Sequence, residues 1–111
     1  PPGSVPQMNA SGLAPAMSGG DVQAIDVRGA SEWDAGHLPG ASNMPLATLA
    51  ARVAEIPRDR PVVVQCQTGG RSAIAASLLR AKGVERIANL RGGFAAWQDA
   101  GLPVERNEGE Q

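Results

Sequence analysis

The stretch Pro61-Val62-Val63-Val64-Gln65-Cys66-Gln67-Thr68-Gly69-Gly70-Arg71-Ser72 runs from a β-branched segment straight into a glycine-bearing loop. Three consecutive valines suit a strand covered on both faces. Gly69 and Gly70 give the backbone the freedom to turn successive N–H groups inward, which makes a nest for an anion. Ala73-Ile74-Ala75-Ala76 continues as a helix, with Ile74, Leu78 and Leu79 on one face and Gly83 as its stop. A strand, a tight turn and a helix in this order form the unit of a parallel α/β sheet. In such sheets ligands bind where strands end and helices begin.

Similar units lie to either side. Residues 22–27 and 86–90 read as short buried strands flanking 61–66. Leu46, Leu49, Val53 and Ile56 recur at helical spacing and stop before Pro57, while Phe94 and Trp97 open a helix that ends near Gly101 and Pro103. Residues 9–17 form a weaker helical pattern, with Gly12 and Pro15 inside it. The alternation predicts an α/β domain with a mostly parallel sheet and helices on both faces. Residues 1–7, rich in proline, and the polar residues 105–111 read as flexible tails around a domain spanning 8–104.

A chain of 111 residues supports one hydrophobic core, and 42% hydrophobic with 19% charged residues is the balance of a packed domain rather than a disordered one. The formal net charge is −1 and the arginines are scattered among acids, so nucleic-acid and acidic-membrane partners are not expected. No apolar run is long enough to span a bilayer, and Pro1-Pro2-Gly3-Ser4 has no apolar signal core. The expected location is cytoplasmic. The absence of a starting Met leaves open removal of a leader or excision from a longer protein. One cysteine forbids an internal disulfide and a CxxC metal site, so no metal is expected and Cys66 acts alone.

Cys66 stands at the tip of the central strand, where loop N–H groups and the positive end of the following helix lower a thiol pKa and hold an anionic sulfur. Such an arrangement needs no histidine base. The bland reading of a lone cysteine is a small buried hydrophobe; its place before Gly-Gly-Arg-Ser and a helix argues for function. Arg71 either binds an anionic donor or braces the loop. Ser72 either caps the helix or hydrogen-bonds the sulfur. Asp26 and Arg28 end a strand on the same expected edge, where they shape the pocket or form an ion pair, with Glu32 as a partner for Arg28. Phe94 and Trp97 read as core packing, and Gly92 with Gly93 as a loop that approaches the site closely.

Three segments resemble the rhodanese family. Asp26-Val27-Arg28, Glu32-Trp33 and Gly36-His37-Leu38-Pro39-Gly40-Ala41-Ser42-Asn43-Met44-Pro45 are similar to its N-terminal signature; Cys66-Gln67-Thr68-Gly69-Gly70-Arg71-Ser72 to its active-site loop; and Leu90-Arg91-Gly92-Gly93-Phe94 with Trp97 to its C-terminal signature. The resemblance covers about residues 13–104, and their order and spacing agree with the family. It implies a five-stranded rhodanese-like sheet, a structural role for His37, and sulfur transfer in two halves. Cys66 is then the catalytic nucleophile, and Gln67, Thr68, Gly69, Gly70, Arg71 and Ser72 bind the substrate. Thiosulfate or a related donor gives its outer sulfur to Cys66, and the persulfide passes it to cyanide, a small thiol or a protein thiol. No cofactor is implied beyond that covalent persulfide.

Related phosphatases place five residues between the catalytic Cys and Arg, whereas four separate Cys66 from Arg71 here. The tighter loop suits a sulfur atom. Thiosulfate-using members often follow the cysteine with Arg or Lys, and this chain has Gln67, which leaves the donor open. The alternatives are a persulfide-carrier module that serves a partner protein, a silent regulatory domain, and a phosphatase or arsenate reductase.

Overall fold

A computed structural model describes residues 5–107. The elements in chain order are β1 (Gln7–Met8), α1 (Ala10–Ser18), β2 (Gln23–Asp26), α2 (Ala30–Ala35), β3 (Ser42–Asn43), α3 (Leu46–Leu49), β4 (Val62–Gln65), α4 (Gly70–Ala81), β5 (Ile87–Leu90) and α5 (Gly93–Asp99). One sheet contains all five strands in the order β1-β5-β4-β2-β3, and every strand pair in it is parallel. The expected α/β sheet is therefore present, and it is parallel throughout.

Central β4 is buried along its whole length, as its valine run requires. Val62, Val64 and Cys66 face a core built with Leu49, Val53, Ala75, Ala76 and Leu79 from α3, the following turn and α4. Val63 faces the opposite core, where Leu13 of α1 and Phe94 and Trp97 of α5 pack with Leu38 and Leu90. Each fully buried valine or leucine contributes roughly 1.5–3 kcal/mol of apolar burial. The strand is thus a rigid post clamped from both sides, and Cys66 is the first residue beyond its tip.

Two features differ from the sequence expectation, the helix after Pro45 and the tails, while the weak helical pattern with Pro15 inside it does form a helix. The helix read through residues 46–56 divides: α3 spans one turn and tightens into a 3₁₀ segment, Ala50–Glu55. Short helical runs ending before proline commonly tighten in this way, because the last carbonyls lack partners. Pro15 lies inside α1 without ending it, since it sits on the exposed side, where the carbonyl it leaves unpaired can face water. The expected tails are corrected at their inner ends. Gln7 belongs to β1 and pairs in register with Asn89, the Asn89 N–H donating to Pro6 O at 2.9 Å. Glu105 and His37 exchange backbone hydrogen bonds of 2.8 and 2.9 Å, and the Asn107 N–H donates to Asp34 O at 3.0 Å. The free edge of β5 is satisfied by β1, while the C-terminal segment pairs with backbone groups at and after the end of α2, outside the sheet. The remainder of those segments, residues 1–4 and 108–111, lies outside the described residues.

Among the described residues no helix is long and apolar enough to cross a membrane.

Leu90 is completely buried between β5 and α5. Leu90→Ala is expected to lower the unfolding free energy by about 2–5 kcal/mol, read from the midpoint of chemical denaturation.

Candidate active site

The register sets the geometry of the sheet's carboxyl edge. Asp26 of β2 lies level with Gln65 of β4, so the chain leaving β2 through Arg28 runs beside the loop leaving β4 through Cys66. That loop turns at Gly69, whose φ of +124° is open only to glycine, and enters α4 at Gly70. The turn brings the Gly69 N–H to 3.1 Å from the Cys66 sulfur. The Ser72 hydroxyl, in the first turn of α4, lies 3.4 Å from the same atom.

Cys66 is 2% exposed. Burial pushes its thiol pKa up, but the Ser72 hydroxyl and the N–H groups of Ser72, Gly69 and Thr68 outweigh burial, and the net shift is downward from the ordinary thiol value. Those donors favour the anion of a buried sulfur. A thiolate is the reactive form of cysteine, so the arrangement makes a nucleophile without an adjacent base. The His37 ring instead stacks on Trp33 with centroids 3.5 Å apart, and its Nδ1 lies 2.7 Å from Trp33 O.

A second loop secures the first. Gly93, with φ of +60°, lies so close that a Cβ there would collide with the Cys66 and Gln67 carbonyls. Close approach lets the N–H groups that open α5 reach those carbonyls: Phe94 N–H donates to Cys66 O at 2.8 Å and Ala95 N–H to Gln67 O at 3.0 Å. The Gln65 amide adds a further bond to Cys66 O at 3.0 Å. Fixing these carbonyls outward leaves the loop's N–H groups turned toward the sulfur.

Two guanidiniums flank the loop. Arg28 is buried and donates to both carboxylate oxygens of Asp26, from Nε at 3.0 and 3.1 Å and from NH2 at 2.7 Å. It also donates to Gly36 O at 2.6 Å and Gln67 Oε1 at 3.2 Å, and its guanidinium carbon lies over the Phe94 ring, 4.4 Å from the centroid. One side chain thus ties β2, the end of α2, the Cys66 loop and α5 together. Arg71 forks onto Glu32, with NH1 to Oε1 at 2.8 Å and NH2 to Oε2 at 2.9 Å. The Arg71 hydrogen bond is the main influence on Glu32 and holds its carboxyl at about 2. The expected partnership of Arg28 with Glu32 is corrected: Asp26, two residues away on the same strand end, reaches Arg28 inside the core, and Glu32 is left to face Arg71. Arg71 braces the loop to α2.

The structure brings Cys66, Gln67, Thr68, Gly69, Arg71, Ser72, Asp26 and Arg28 into one cluster, with Gly70 exposed at the start of α4. It also adds Asn89, which the sequence reading passed over as part of an apolar strand. Asn89 is buried on β5, and its Oδ1 lies 2.6 Å from the Ser72 hydroxyl oxygen. A polar residue within Ile87-Ala88-Asn89-Leu90 was the available signal. A hydroxyl carries one proton. At 2.6 Å that proton goes to Asn89, and the Cys66 S–H donates to Ser72. A thiolate has no proton to give and can only accept, so the Ser72 O–H is the group that can donate to it, and an amide at Asn89, unlike a carboxylate, can donate to Ser72 in turn.

A parallel α/β domain with one cysteine in an N–H-lined loop at the carboxyl edge of its sheet defines a narrow class of protein. Residues 9–100 match the Rhodanese-like domain family, and the chain belongs to that family, among the sulfurtransferases. It is 42% identical over 89 residues to a sulfurtransferase of Allochromatium vinosum, covering 80% of this chain and 83% of that protein. It is 38% identical to the thiosulfate sulfurtransferase GlpE of Shewanella oneidensis, over 71% of this chain and 78% of that one. The crystal structure of a rhodanese-related protein of Thermoplasma volcanium superposes with a TM-score of 0.84 at 29% identity, covering 93% of this chain and 99% of that chain.

Asn89→Asp replaces an amide that can either accept or donate by a carboxylate that only accepts. It is expected to keep the Ser72 proton away from the sulfur and to raise the Cys66 pKa by about one unit or more. Titration of thiolate absorbance checks this; the same substitution placed on Ser72→Ala should move the midpoint less.

Proposed function

We propose that this protein is a sulfurtransferase that carries sulfane sulfur on Cys66 as a persulfide, from thiosulfate or a related donor to cyanide or a thiol. The Cys66 thiolate attacks the outer sulfur of the donor. A bond forms between the two sulfurs, the donor's own S–S bond breaks, and its electron pair leaves with sulfite when thiosulfate is used. In the second half a nucleophile takes the outer sulfur and the Cys66 thiolate returns as leaving group. No redox partner and no cofactor beyond the covalent sulfur enter either step, and the acceptor thiol is carried by a small molecule or by a protein.

The observation that carries this reading is one buried sulfur that accepts the Gly69 N–H at 3.1 Å and lies 3.4 Å from the Ser72 hydroxyl, with the Thr68 and Ser72 N–H groups also lowering its pKa. These groups favour an anion at Cys66 before attack, and the same donors lie beside the charge of the persulfide. Fixed donors of this kind act without reorganising when charge moves, which is where electrostatic catalysis gains most. Membership of a family with curated sulfurtransferases supports the same chemistry.

Intact-protein mass spectrometry tests it. Treatment with thiosulfate is expected to add the mass of one sulfur, and cyanide to remove it; Cys66→Ser should remain folded and show neither change, because a hydroxyl is too basic to act as the anionic nucleophile. A sulfur adduct that survives Cys66→Ser would overturn the assignment.

A further inference from the structure

The two guanidiniums that flank the Cys66 loop, Arg28 and Arg71, are already matched. Arg28 is 2% exposed and holds both oxygens of Asp26. The Arg71 fork lies on both oxygens of Glu32 at 2.8 and 2.9 Å. Two guanidiniums and two carboxylates sum to zero. Gln67, at the position facing Arg28, adds a neutral amide whose Oε1 already accepts from that guanidinium. The Gly69 N–H is directed at the Cys66 sulfur itself, at 3.1 Å, and so is not offered to a donor's charge. A donor entering the mouth therefore meets no uncompensated cation from either of these arginines.

Glu32 is well fixed in this competition. Its Oε1 also accepts the Gly29 N–H at 3.1 Å, which caps α2, so the carboxylate is held from the helix side as well as by Arg71. Arg71 is 42% exposed on its side chain, close enough to solvent for a donor to reach it once Glu32 releases the fork.

We propose that Glu32 is the donor-specificity residue of this site: by occupying the Arg71 fork it turns the enzyme toward monoanionic sulfane donors and against the thiosulfate dianion. This rests on the sulfur-transfer reading above and names its substrate class. Methanethiosulfonate is the matching probe, since it replaces one oxygen of thiosulfate by a methyl group and so carries one negative charge instead of two. The Cys66 thiolate bonds to the outer sulfur, the bond between that sulfur and the sulfonyl sulfur breaks, and the electron pair leaves with methanesulfinate. Charge balances with no proton or oxidant required.

The experiment measures kcat/KM for thiosulfate and methanethiosulfonate, with cyanide as acceptor, at low and high salt. Wild-type protein is expected to favour methanethiosulfonate. Glu32→Gln keeps a side-chain carbonyl for the Gly29 N–H and removes the charge that holds Arg71. It should raise the ratio of thiosulfate to methanethiosulfonate use about five- to tenfold, the gain shrinking at high salt. Glu32→Gln combined with Arg71→Gln should lose that gain. An unchanged ratio in Glu32→Gln, a gain that persists in the double variant, or a wild-type preference for thiosulfate would each overturn the proposal. Mass spectrometry of wild-type protein after each donor separates the two levels: a normal Cys66 persulfide with an unchanged ratio removes only the specificity role, whereas no sulfur uptake from either donor removes the sulfur-transfer reading and the role together.

Discussion

Burial and charge oppose each other at Cys66. A thiol almost fully removed from water is pushed toward its neutral form, and only hydrogen-bond donors aimed at the sulfur can reverse that. Much of the local architecture follows from the need to aim them. The strand that ends at Gln65 is buried on both faces and cannot shift. The turn at Gly69 uses a conformation that only glycine takes readily, and α4 begins at once, so that its first N–H groups point back at the strand tip. Carbonyls of the same loop are drawn away by the N–H groups opening α5, which is why Gly93 must approach so closely.

Around this centre the charges are arranged for position as much as for attraction. Arg28 is a buried cation whose cost is met by Asp26, by carbonyl oxygens and by the Phe94 ring, and removing it would leave Asp26 uncompensated in the core. In return it joins the ends of β2 and α2 to the Cys66 loop and α5, which are distant from them in sequence. Arg71 and Glu32 form the outer pair, linking α4 to α2 across the mouth of the site. The two arginines flanking the loop are matched by two carboxylates, while the centre favours an anion.

The sequence displayed the centre more clearly than the rim. The valine run, the paired glycines and the following helix are contiguous, and local propensity and periodicity act on contiguous residues, so the Cys66 loop and its neighbouring elements were legible. Pairing across distance was not. Glu32 and Arg71 stand 39 residues apart, and which acid meets which arginine depends on where α2 docks. Asn89 lay inside a four-residue strand whose other members are apolar, and its role emerges only when β5 is set beside α4. Strand β1 is two residues long and owes its existence to the open edge of β5 rather than to any pattern of its own.

The central claim is that the folded loop shifts a buried sulfur toward its anionic form. The most direct measurement is the pH dependence of the rate at which a neutral alkylating reagent modifies Cys66 in the native protein. A midpoint clearly below the value of about 8.5 typical of an unperturbed cysteine is the predicted result. A midpoint at or above that value would show that burial dominates and would contradict the account.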